Sequence, residues 1–528
     1  MSNRIMKKTF ASALAIISAA TFVPGSVIGT TIAPVAITAS AEVVSGNYTY
    51  EELSDGTISI TKYSGTESKV EIPVKIDGKT VTKIGNQAFM GNKNITEVNY
   101  RNDALTSIGE FAFCSCTSLK TVLIRSDASK TTIGRGAFAS CTSLEDIDLI
   151  CNFEAIEEGT FQRCASLTCF LIPTNVKYIG TGAFQECTNL EKVGISGTTV
   201  GKKAFYNCEK LTTIEYMSDV VDIKDYAFYG CSSLSKLSEC PELETIGDYA
   251  FFGCSSLSEL SDGYQSLKTI GNSAFGSCTA LTELNLIPFT KLTSIGNDAF
   301  ANCKLLETAV FPENLTTLGK RTFANCHALK NVELNSKKLT TIPQAAFATT
   351  GITEIKIPEG VTDIDDAAFY TCKSLTKVTL PKSVTTIGDK AFGACTSLKN
   401  VVYNGTKAQL AAISVGTDNK ALTGAAITYN NNSSSSAYPV VTNILYNTQY
   451  HQFQLTWSPV QGAQNYGIAV YLAGRWKVQT QNISASNTTF VSPKLTPGKS
   501  YKVVVAAKVN GKWDTSNLSK RAVTVTIK

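Results

Sequence analysis

A phenylalanine recurs at nearly even intervals along most of this chain, each time directly after a small residue. Fourteen copies are separated by 21 to 25 residues, and the residue before them is Ala in twelve cases and Thr in two. The copies are Phe89, Phe113, Phe138, Phe161, Phe184, Phe205, Phe228, Phe251, Phe275, Phe300, Phe323, Phe347, Phe369 and Phe392. A fixed period in this range is typical of a solenoid, in which each coil is stable only when stacked on its neighbours.

Other positions repeat in step with this phenylalanine. A branched apolar residue stands five residues before it, and Gly follows that residue in ten repeats. Cys stands three residues after it in twelve repeats, usually with Leu three residues later. The alternation at 284–286 predicts a short strand whose apolar side chains face inward, and 384–387 predicts a second strand. The stretch 296–303 between two such strands is predicted to form one or two helical turns.

Residues 383–398 give the repeat in full, as Ser-Val-Thr-Thr-Ile-Gly-x-x-Ala-Phe-x-x-Cys-x-x-Leu. This pattern resembles the BspA-like class of bacterial leucine-rich repeats, and the resemblance extends over about residues 75 to 403. It implies a mainly β fold, a right-handed leucine-rich-repeat solenoid of about 14 coils built from short strands and short helical turns. It also implies adhesion or another interaction at a cell surface.

The sixteen cysteines separate into two groups. Twelve belong to the repeat, where a small apolar side chain is needed, and they are predicted to form a column of packed thiols. They are Cys116, Cys141, Cys164, Cys187, Cys208, Cys231, Cys254, Cys278, Cys303, Cys326, Cys372 and Cys395. Cys114, Cys151, Cys169 and Cys240 lie outside the column, and one disulfide among these four remains open. No Cys-x-x-Cys pair occurs and the chain has two His, so zinc is not expected.

The two ends of the chain differ from the repeat. Residues 1–41 have early basic residues, an uncharged stretch and a closing Ala-Ser-Ala, which predicts a secretory signal peptide. Residues 42–75 are predicted to cap the first coil, 76–403 to form the solenoid, and 404–429 to cap its other end. Residues 430–436 are polar and predicted to be a linker. No later segment is long and apolar enough to cross a bilayer.

Residues 437–528 contain all three Trp and no Cys. Short strand-like runs at regular intervals predict a β-sandwich. The sequence resembles a fibronectin type III module: Trp457, in Leu-Thr-Trp, matches the buried tryptophan of the second strand. The run from Leu495 to Tyr501, Leu-Thr-Pro-Gly-x-x-Tyr, matches the approach to the sixth strand and its corner tyrosine.

Charge divides sharply between these parts. The segment from 437 onward carries ten Lys or Arg and a single acidic residue, Asp514, so its net charge is +9. The predicted signal contributes +3 and the remainder −7, which together give the overall +5. The basic residues of the sandwich are interpreted either as an ordinary solvated face or as a contact surface for an anionic cell-wall polymer or acidic polysaccharide.

Candidate binding residues lie between the repeated apolar columns. An outward strand column of mixed charge includes Lys192, Lys236, Glu259 and Glu283, and the adjacent outward column includes the apolar Leu123 and Leu171. In the sandwich, Arg475-Trp476 and Lys512-Trp513 repeat a Gly-basic-Trp sequence at two predicted hairpin turns. Such indoles either stack on sugar rings or pack on their own sheet. The expected topology places the two turns at opposite ends, so they are not combined into one site.

The sequence therefore predicts a secreted or surface-associated bacterial binding protein whose repeat surface contacts an extracellular protein or matrix ligand. Two alternatives remain open: a polysaccharide-associated accessory protein that holds glycan through the sandwich, and a structural spacer. No phosphate-binding glycine loop, metal motif or nucleophile with a suitably spaced partner occurs. Neither enzymatic activity, a cofactor, nor a nucleic acid partner is expected.

Overall fold

The protein is described by a computed structural model over residues 41–126, 130–195, 197, 199–430 and 438–527. The predicted signal peptide, apart from Ala41, and the predicted linker, apart from Asn430, lie outside these residues. The fold is mainly β: a solenoid of about 15 turns over residues 58–429, followed by a small antiparallel β domain. Each of the two parts has its own hydrophobic core.

Each coil contributes a strand to one or both of two rows, and most neighbouring strands within a row pair in parallel. The first row follows the repeated Leu, and its outward side chains form the surface predicted to bind ligand. Its strands are Lys69–Glu71, Glu97–Arg101, Thr121–Arg125, Asp146–Ile150, Cys169–Leu171, Lys192–Gly194, Thr213–Glu215, Glu283–Asn285, Thr308–Val310, Asn331–Glu333, Glu354–Lys356, Lys377–Leu380, Asn400–Tyr403 and Ala426–Tyr429.

The second row contains the repeated branched residue five positions before Phe. Its strands are Ile58–Tyr63, Lys79–Ile84, Ser107–Ile108, Thr132–Ile133, Ala155–Ile156, Tyr178–Ile179, Thr199–Val200, Asp222–Ile223, Thr245–Ile246, Thr269–Ile270, Ser294–Ile295, Thr317–Leu318, Thr341–Ile342, Asp363–Ile364, Thr386–Ile387 and Ser414–Val415. The N-terminal strand Val43–Ser45 pairs antiparallel with Tyr48–Glu52, which in turn pairs antiparallel with the first strand of this row. Lys75–Ile76 pairs with Lys79–Ile84.

The phenylalanine column forms the centre of the solenoid core. Every one of the fourteen rings is at most 1% exposed. Neighbouring rings lie nearly parallel, with centroids 4.8 to 5.6 Å apart. The ring spacing therefore matches the separation of hydrogen-bonded strands, which lets one side chain per coil stack without distorting either row.

The segment around each phenylalanine consists of consecutive turns, so the predicted helical turns are wrong. Asp298 and Asn302, two residues before and two after Phe300, have φ of 55° and 62°, in the left-handed region. The same two positions are left-handed in all fourteen repeats. The N–H groups of Asp298, Phe300 and Asn302 donate to the next coil at 2.8 to 2.9 Å, so these turns make a third ladder between coils.

The conserved spacing between coils explains the repeated glycine as well. A Cβ on Gly296 would lie 2.6 Å from the backbone nitrogen of Asn272 in the preceding coil, too close for any side chain. Gly296 is therefore required by the close approach of two backbones, not by a left-handed φ.

The predicted thiol column is confirmed, and the structure gives it a chemical role. The twelve repeat cysteines are buried, and each Sγ donates to the carbonyl of the preceding coil's phenylalanine at 3.1 to 3.3 Å. Burial raises the pKa of Cys187 to about 12, which keeps its thiol protonated and able to donate. Cysteine thus combines the small volume of alanine with a weak donor for a buried carbonyl.

All sixteen cysteines are free thiols in the structure. Of the four outside the column, Cys169 is exposed, Cys114 and Cys151 are half-buried, and Cys240 is buried. The thiol of Cys240 lies 3.0 and 3.3 Å from the carbonyl oxygens of Met217 and Val220 and donates to them. Like the column cysteines, Cys240 is therefore a buried thiol that donates to backbone carbonyls.

Different residues close the two ends of the solenoid core. At the N-terminal end, the ring of Tyr63 stacks on Phe89 with centroids 5.0 Å apart, and Tyr48 packs on Tyr63. At the other end, the amide oxygen of Asn419 accepts a hydrogen bond from the N–H of Phe392 at 2.9 Å. In other coils the N–H of the repeated phenylalanine donates to the next coil. Short helices at Lys407–Ala411 and Lys420–Thr423 accompany this closure.

The C-terminal domain packs a three-stranded sheet against a five-stranded sheet, both antiparallel. Its strands are Val441–Asn447, Gln452–Trp457 and Thr489–Val491 in the smaller sheet, and Ala463–Leu472, Arg475–Ser484, Ser500–Val509, Lys512–Trp513 and Val523–Thr526 in the larger one, with a short helix at Leu518–Arg521. The two antiparallel sheets form the predicted β domain, which resembles a fibronectin type III domain.

Two predicted landmarks of the sandwich have different outcomes. Trp457 is 1% exposed and packs edge-on against Tyr466, as expected of the core tryptophan. Tyr501 lies in the sixth strand, half-buried against the core. The buried tyrosine hydroxyl that holds a turn is that of Tyr466, which accepts the N–H of Val460 at 2.8 Å.

Candidate ligand-binding surfaces

The outward column of the first strand row contains the predicted residues in register. Lys192 pairs with Cys169 on one side and Thr213 on the other, and all three side chains point away from the core. Glu283 occupies the same position further along, paired with Thr308. The sequence periodicity therefore placed these side chains on one face correctly.

Lys236 and Glu259 lie where the strand row is interrupted. Lys236 retains a single bridge to Thr213, and Glu259 lies outside the strands. The cause is local: the hydroxyl of Ser238 donates to the carbonyl of Ile214 at 2.5 Å, which replaces a ladder bond with a side-chain bond. The expectation of an unbroken column of strand positions is wrong over these two coils.

Many charges on the row are paired with each other from coil to coil. Lys236 lies 4.0 Å from Glu259, and Lys377 lies 2.9 Å from Glu354. These pairs are well exposed, so each contributes little to stability. Pairing of this kind lowers the net field of the row, which makes its charged residues weak candidates for recognition of a charged ligand.

An apolar patch interrupts this polar row. Leu171 and Tyr216 are 67% and 71% exposed. Gly194 pairs with Leu171 on one side and with Glu215 on the other, and Tyr216 directly follows Glu215. A Cβ on Gly194 would lie 3.1 Å from the ring of Tyr216 and 3.7 Å from Leu171. We call these three residues the Leu171–Tyr216 patch. The absence of a side chain at Gly194 brings the two large apolar side chains close together.

Tyr216 faces outward because its backbone is left-handed, with φ of 61°. At the same position in other coils, Tyr100 and Ile195 are buried, whereas here the next residue, Met217, fills the core. A left-handed conformation costs a bulky residue about 1–2 kcal/mol. The sequence pattern predicts an outward Leu171 but not an outward Tyr216. The signal for Tyr216 is that the apolar residue of this coil that fills the core, Met217, comes one position later than in other coils.

Leu123, the other predicted apolar residue, does not join the patch. It is half-buried in the strand Thr121–Arg125, in register between Asn99 and Asp148. The amide of Asn99 donates to Glu71 and Glu97 at 2.8 and 2.9 Å, so the surroundings of Leu123 are polar and internally bonded.

A group of aromatic side chains on the turn segments also escaped the sequence analysis. Tyr206, Tyr229 and Phe252 stack at 4.9 and 5.3 Å, and Tyr226 stacks on Tyr249 at 4.9 Å. Because the rings stack on one another along the coil axis, their faces are covered and mainly their edges are available. Such a ladder stabilises the turns and is a poor platform for sugar rings, which bind to exposed aromatic faces.

The sandwich places its two Gly-basic-Trp turns at opposite ends of the five-stranded sheet, as predicted. Strand pairing nevertheless brings both indoles to the same outer face. Trp476 pairs with Tyr471, and Tyr471 pairs with Lys502 on the next strand. Trp513 pairs with Lys508, which lies on the same strand as Lys502, six residues further along. Positions an even number apart on a strand share a face, so the two indoles lie towards opposite ends of one face.

Contacts on this face show how the indoles are held. A Cβ on Gly467 would lie 3.2 Å from the ring of Trp513, so the glycine makes room for the indole against the sheet. Trp476 packs edge-on against Tyr471 with centroids 5.3 Å apart. Both indoles are half-buried: each packs on its own sheet, and part of each ring stays accessible to solvent.

The basic side chains around this face have almost no carboxylates to pair with. Asp514 is the domain's only acidic side chain, and it is already bonded to Arg521. Arg475 and Lys512, the two basic residues of the predicted motifs, are exposed, as is Lys502. The positive charge of the sandwich is therefore uncompensated within the domain.

Within the described ranges, no group of three or more His, Cys, Asp or Glu is placed to hold a metal ion. No helix among the same residues is long and apolar enough to cross a membrane.

Comparison with known proteins agrees with the solenoid. The family model described as BspA type Leucine rich repeat region matches residues 59–191, 198–330 and 293–413. A leucine-rich repeat protein from Bacteroides ovatus is 25% identical, with 73% of this chain and 99% of that chain covered and a TM-score of 0.52. A leucine rich cell surface protein from Faecalibacterium prausnitzii is 28% identical, with 71% and 97% covered and a TM-score of 0.41.

The C-terminal part has a separate likeness. An Fn3-like protein from Clostridium thermocellum is 23% identical, with 15% of this chain and 82% of that chain covered and a TM-score of 0.14. No curated protein matches the chain.

Proposed function

Since the chain belongs to the BspA-type leucine-rich repeat family, we propose that it is a bacterial surface-associated binding protein. Its solenoid binds an extracellular protein or matrix ligand through the first strand row. The Leu171–Tyr216 patch is the observation that carries this proposal.

The patch has the properties of a protein-binding anchor. An aromatic and an aliphatic side chain, both about two-thirds exposed, lie side by side on a row that is largely polar and whose other apolar side chains are less exposed. Protein interfaces draw most of their binding energy from a few such anchors surrounded by a polar rim. The left-handed backbone at Tyr216 turns outward a ring that other coils bury, which adds weight to a binding role.

We propose binding rather than catalysis for the row because its charged side chains pair with their neighbours and do not converge on a common point. Secretion follows from the predicted signal peptide at 1–41. Association with the surface is proposed to be non-covalent, and the name of the Faecalibacterium relative, a cell surface protein, supports this location.

The test compares two double variants of the full chain. Leu171→Ala/Tyr216→Ala removes the patch, and Leu305→Ala/Tyr370→Ala removes an exposed Leu and an exposed Tyr from two separate coils. The control is matched in residue type, and Tyr370 also lies over a glycine, Gly393. Adherence of labelled protein to bacterial cells, epithelial cells and immobilised matrix proteins is measured for each.

The patch variant is expected to lose about tenfold or more in adherence to whichever surface the parent binds, which corresponds to about 1.4 kcal/mol. The control is expected to stay within about twofold. Equal loss in both variants, or no adherence of the parent to any surface, contradicts the proposal and favours a spacer role.

A second function, association with polysaccharide through the sandwich, is favoured by the location of Trp476 and Trp513 on one face. It needs no contribution from the solenoid row.

A further inference from the structure

The outer face of the five-stranded sheet combines aromatic side chains at two well-separated points. Trp513 lies against Gly467, and Trp476 packs against Tyr471, four residues further along the same strand. Four residues of an extended strand span about 13 Å. The two points are thus far enough apart to contact different sugar rings of one chain, which a single hairpin turn could not do.

The centre of the face is covered and not open to solvent. Val504 is 1% exposed, although its neighbours Val503 and Val505 are the ones that belong to the sandwich core. Val504 must therefore be covered from the outer side. The face is a shallow apolar platform bounded by aromatic rings, and not an open row of polar residues.

Two lysines border the platform on the same face. Lys502 pairs with Tyr471 and Lys508 pairs with Trp513, so each aromatic point has a lysine in the neighbouring strand position. Arg475 and Lys512 stand next in sequence to the two tryptophans and are exposed. Because Asp514 is bonded to Arg521, none of these four cations has an acidic side chain of its own domain available.

We propose that this face binds an anionic polysaccharide. Trp476, Tyr471 and Trp513 contact sugar rings through apolar surfaces, and Lys502 and Lys508 bind carboxylate or phosphate groups on the same polymer. The inference rests on the second of the two proposed functions and names its ligand class. Charge complementarity selects an acidic over a neutral glycan, and the paired aromatic points select a glycan over a simple polyanion.

The experiment uses affinity electrophoresis of the full chain in native gels. The gels contain polygalacturonate, neutral dextran, polyphosphate or single-stranded DNA. We expect retardation by polygalacturonate that weakens as salt is added, because exposed charges are screened over about 10 Å at 0.1 M. Retardation by polyphosphate or DNA equal to that by polygalacturonate would overturn the proposal in favour of general polyanion binding, and retardation by dextran alone would overturn its charge component.

Variants separate the aromatic from the ionic contribution. Trp476→Ala/Trp513→Ala is expected to reduce polygalacturonate affinity about tenfold. Lys502→Glu is expected to reduce it several-fold, whereas Lys494→Glu is not. Lys494 is a matched control because it is exposed, and the next residue, Leu495, bonds to His451 beside the smaller sheet. Equal losses in the two lysine variants, or no loss in the tryptophan variant, would overturn the assignment.

Folding of the tryptophan variant is checked independently. The chain has three Trp, so this variant retains only Trp457, which is buried in the sandwich core. Blue-shifted emission from Trp457 shows that the domain is folded, and if it is lost the Lys502 and Lys494 pair decides the question alone. The patch variant Leu171→Ala/Tyr216→Ala is expected to bind polygalacturonate normally, so failure of the protein-binding proposal and failure of this one are distinguishable.

Discussion

At the scale of single residues, the repeat selects side chains for the backbone that each one faces. Cysteine recurs because its thiol satisfies the carbonyl of a phenylalanine in the preceding coil while occupying little volume, as Cys254 does for Phe228 at 3.3 Å. Serine would place a more strongly hydrated hydroxyl in the same apolar column. A chemically reactive residue is here a packing residue, protected by burial.

The left-handed positions flanking each phenylalanine are occupied by almost any residue type. Ala367 has φ of 57°, whereas its neighbour Ala368 is fully buried and is not left-handed. Such strain is tolerated because the turn backbone is fixed by bonds to the next coil, such as that from the Ala367 N–H to Asp389 at 2.9 Å.

The same substitution at these two neighbouring alanines is expected to have opposite effects. Ala367→Gly relieves a left-handed strain of about 1–2 kcal/mol against an entropic cost of about 0.5–1 kcal/mol, so the chain gains about 0.5–1 kcal/mol. Ala368→Gly loses about 1–2 kcal/mol through entropy and lost burial. Urea unfolding followed by far-UV circular dichroism measures both. A loss at Ala367 as large as that at Ala368 would contradict the role given to the backbone.

At the scale of elements, each coil is stable only because its neighbours accept its hydrogen bonds, so the last coil needs a substitute. Asn419 supplies it: the oxygen accepts the Phe392 N–H, and the amide nitrogen donates to Gly388 at 2.8 Å and Gly416 at 3.0 Å. Asn419 is 3% exposed, so these bonds are shielded from water. One side chain thus replaces part of the ladder that a further coil would provide.

Asn419→Ala is expected to destabilise the solenoid by about 2 kcal/mol, because it leaves a buried N–H and two carbonyls without their partners. The matched change Asn430→Ala removes an exposed amide bonded to Asn404 and is expected to change stability by no more than about 0.5 kcal/mol. Urea unfolding of the two variants provides the comparison. Equal effects would show that the C-terminal closure does not depend on Asn419.

At the scale of the whole molecule, the chain has two hydrophobic cores without shared residues and two opposite net charges. All three Trp lie in the sandwich, so tryptophan fluorescence reports its unfolding and far-UV circular dichroism is dominated by the much longer solenoid. The sandwich also has a single carboxyl side chain, Asp514, which makes its acid response unusually simple to interpret.

The stability of the sandwich is expected to fall in acid because of Asp514. Burial acts to raise the pKa of this carboxyl, but hydrogen bonds from Ser516 and Arg521 outweigh burial and hold the pKa below its usual value. A carboxyl with a lowered folded pKa stabilises the fold above its unfolded pKa, about 3.9, and this contribution is lost as pH falls through the folded pKa.

Tryptophan-detected urea unfolding between pH 5 and pH 2 should therefore show a decline in the parent that is much smaller in Asp514→Asn. Asp514→Asn should itself be less stable than the parent at pH 5, by about 1–2 kcal/mol. Arg521→Ala, which removes the partner, should likewise flatten the acid response. An unchanged decline in both variants would show that another group controls it.

The repeat period by itself determined the solenoid, the inward columns and the register of the outward ones, because a side chain that must stack on an identical neighbour can have only one orientation. The alternating strand-like runs of residues 437–528, together with Trp457, indicated the sandwich. Leu171 could be predicted as an exposed apolar residue because its coil keeps the standard register. Such inferences need only local pattern and the requirement that apolar columns be buried.

Only the tertiary structure decided where the binding surfaces form. The outward ring of Tyr216 depends on a left-handed residue that lets Met217 take its place in the core, and no periodicity reports that. The shared face of Trp476 and Trp513 depends on the pairing of strands distant in sequence, which the position of their turns does not report. The turns around each phenylalanine are set by bonds to the next coil, whereas a sequence pattern reports mainly the preferences within one coil.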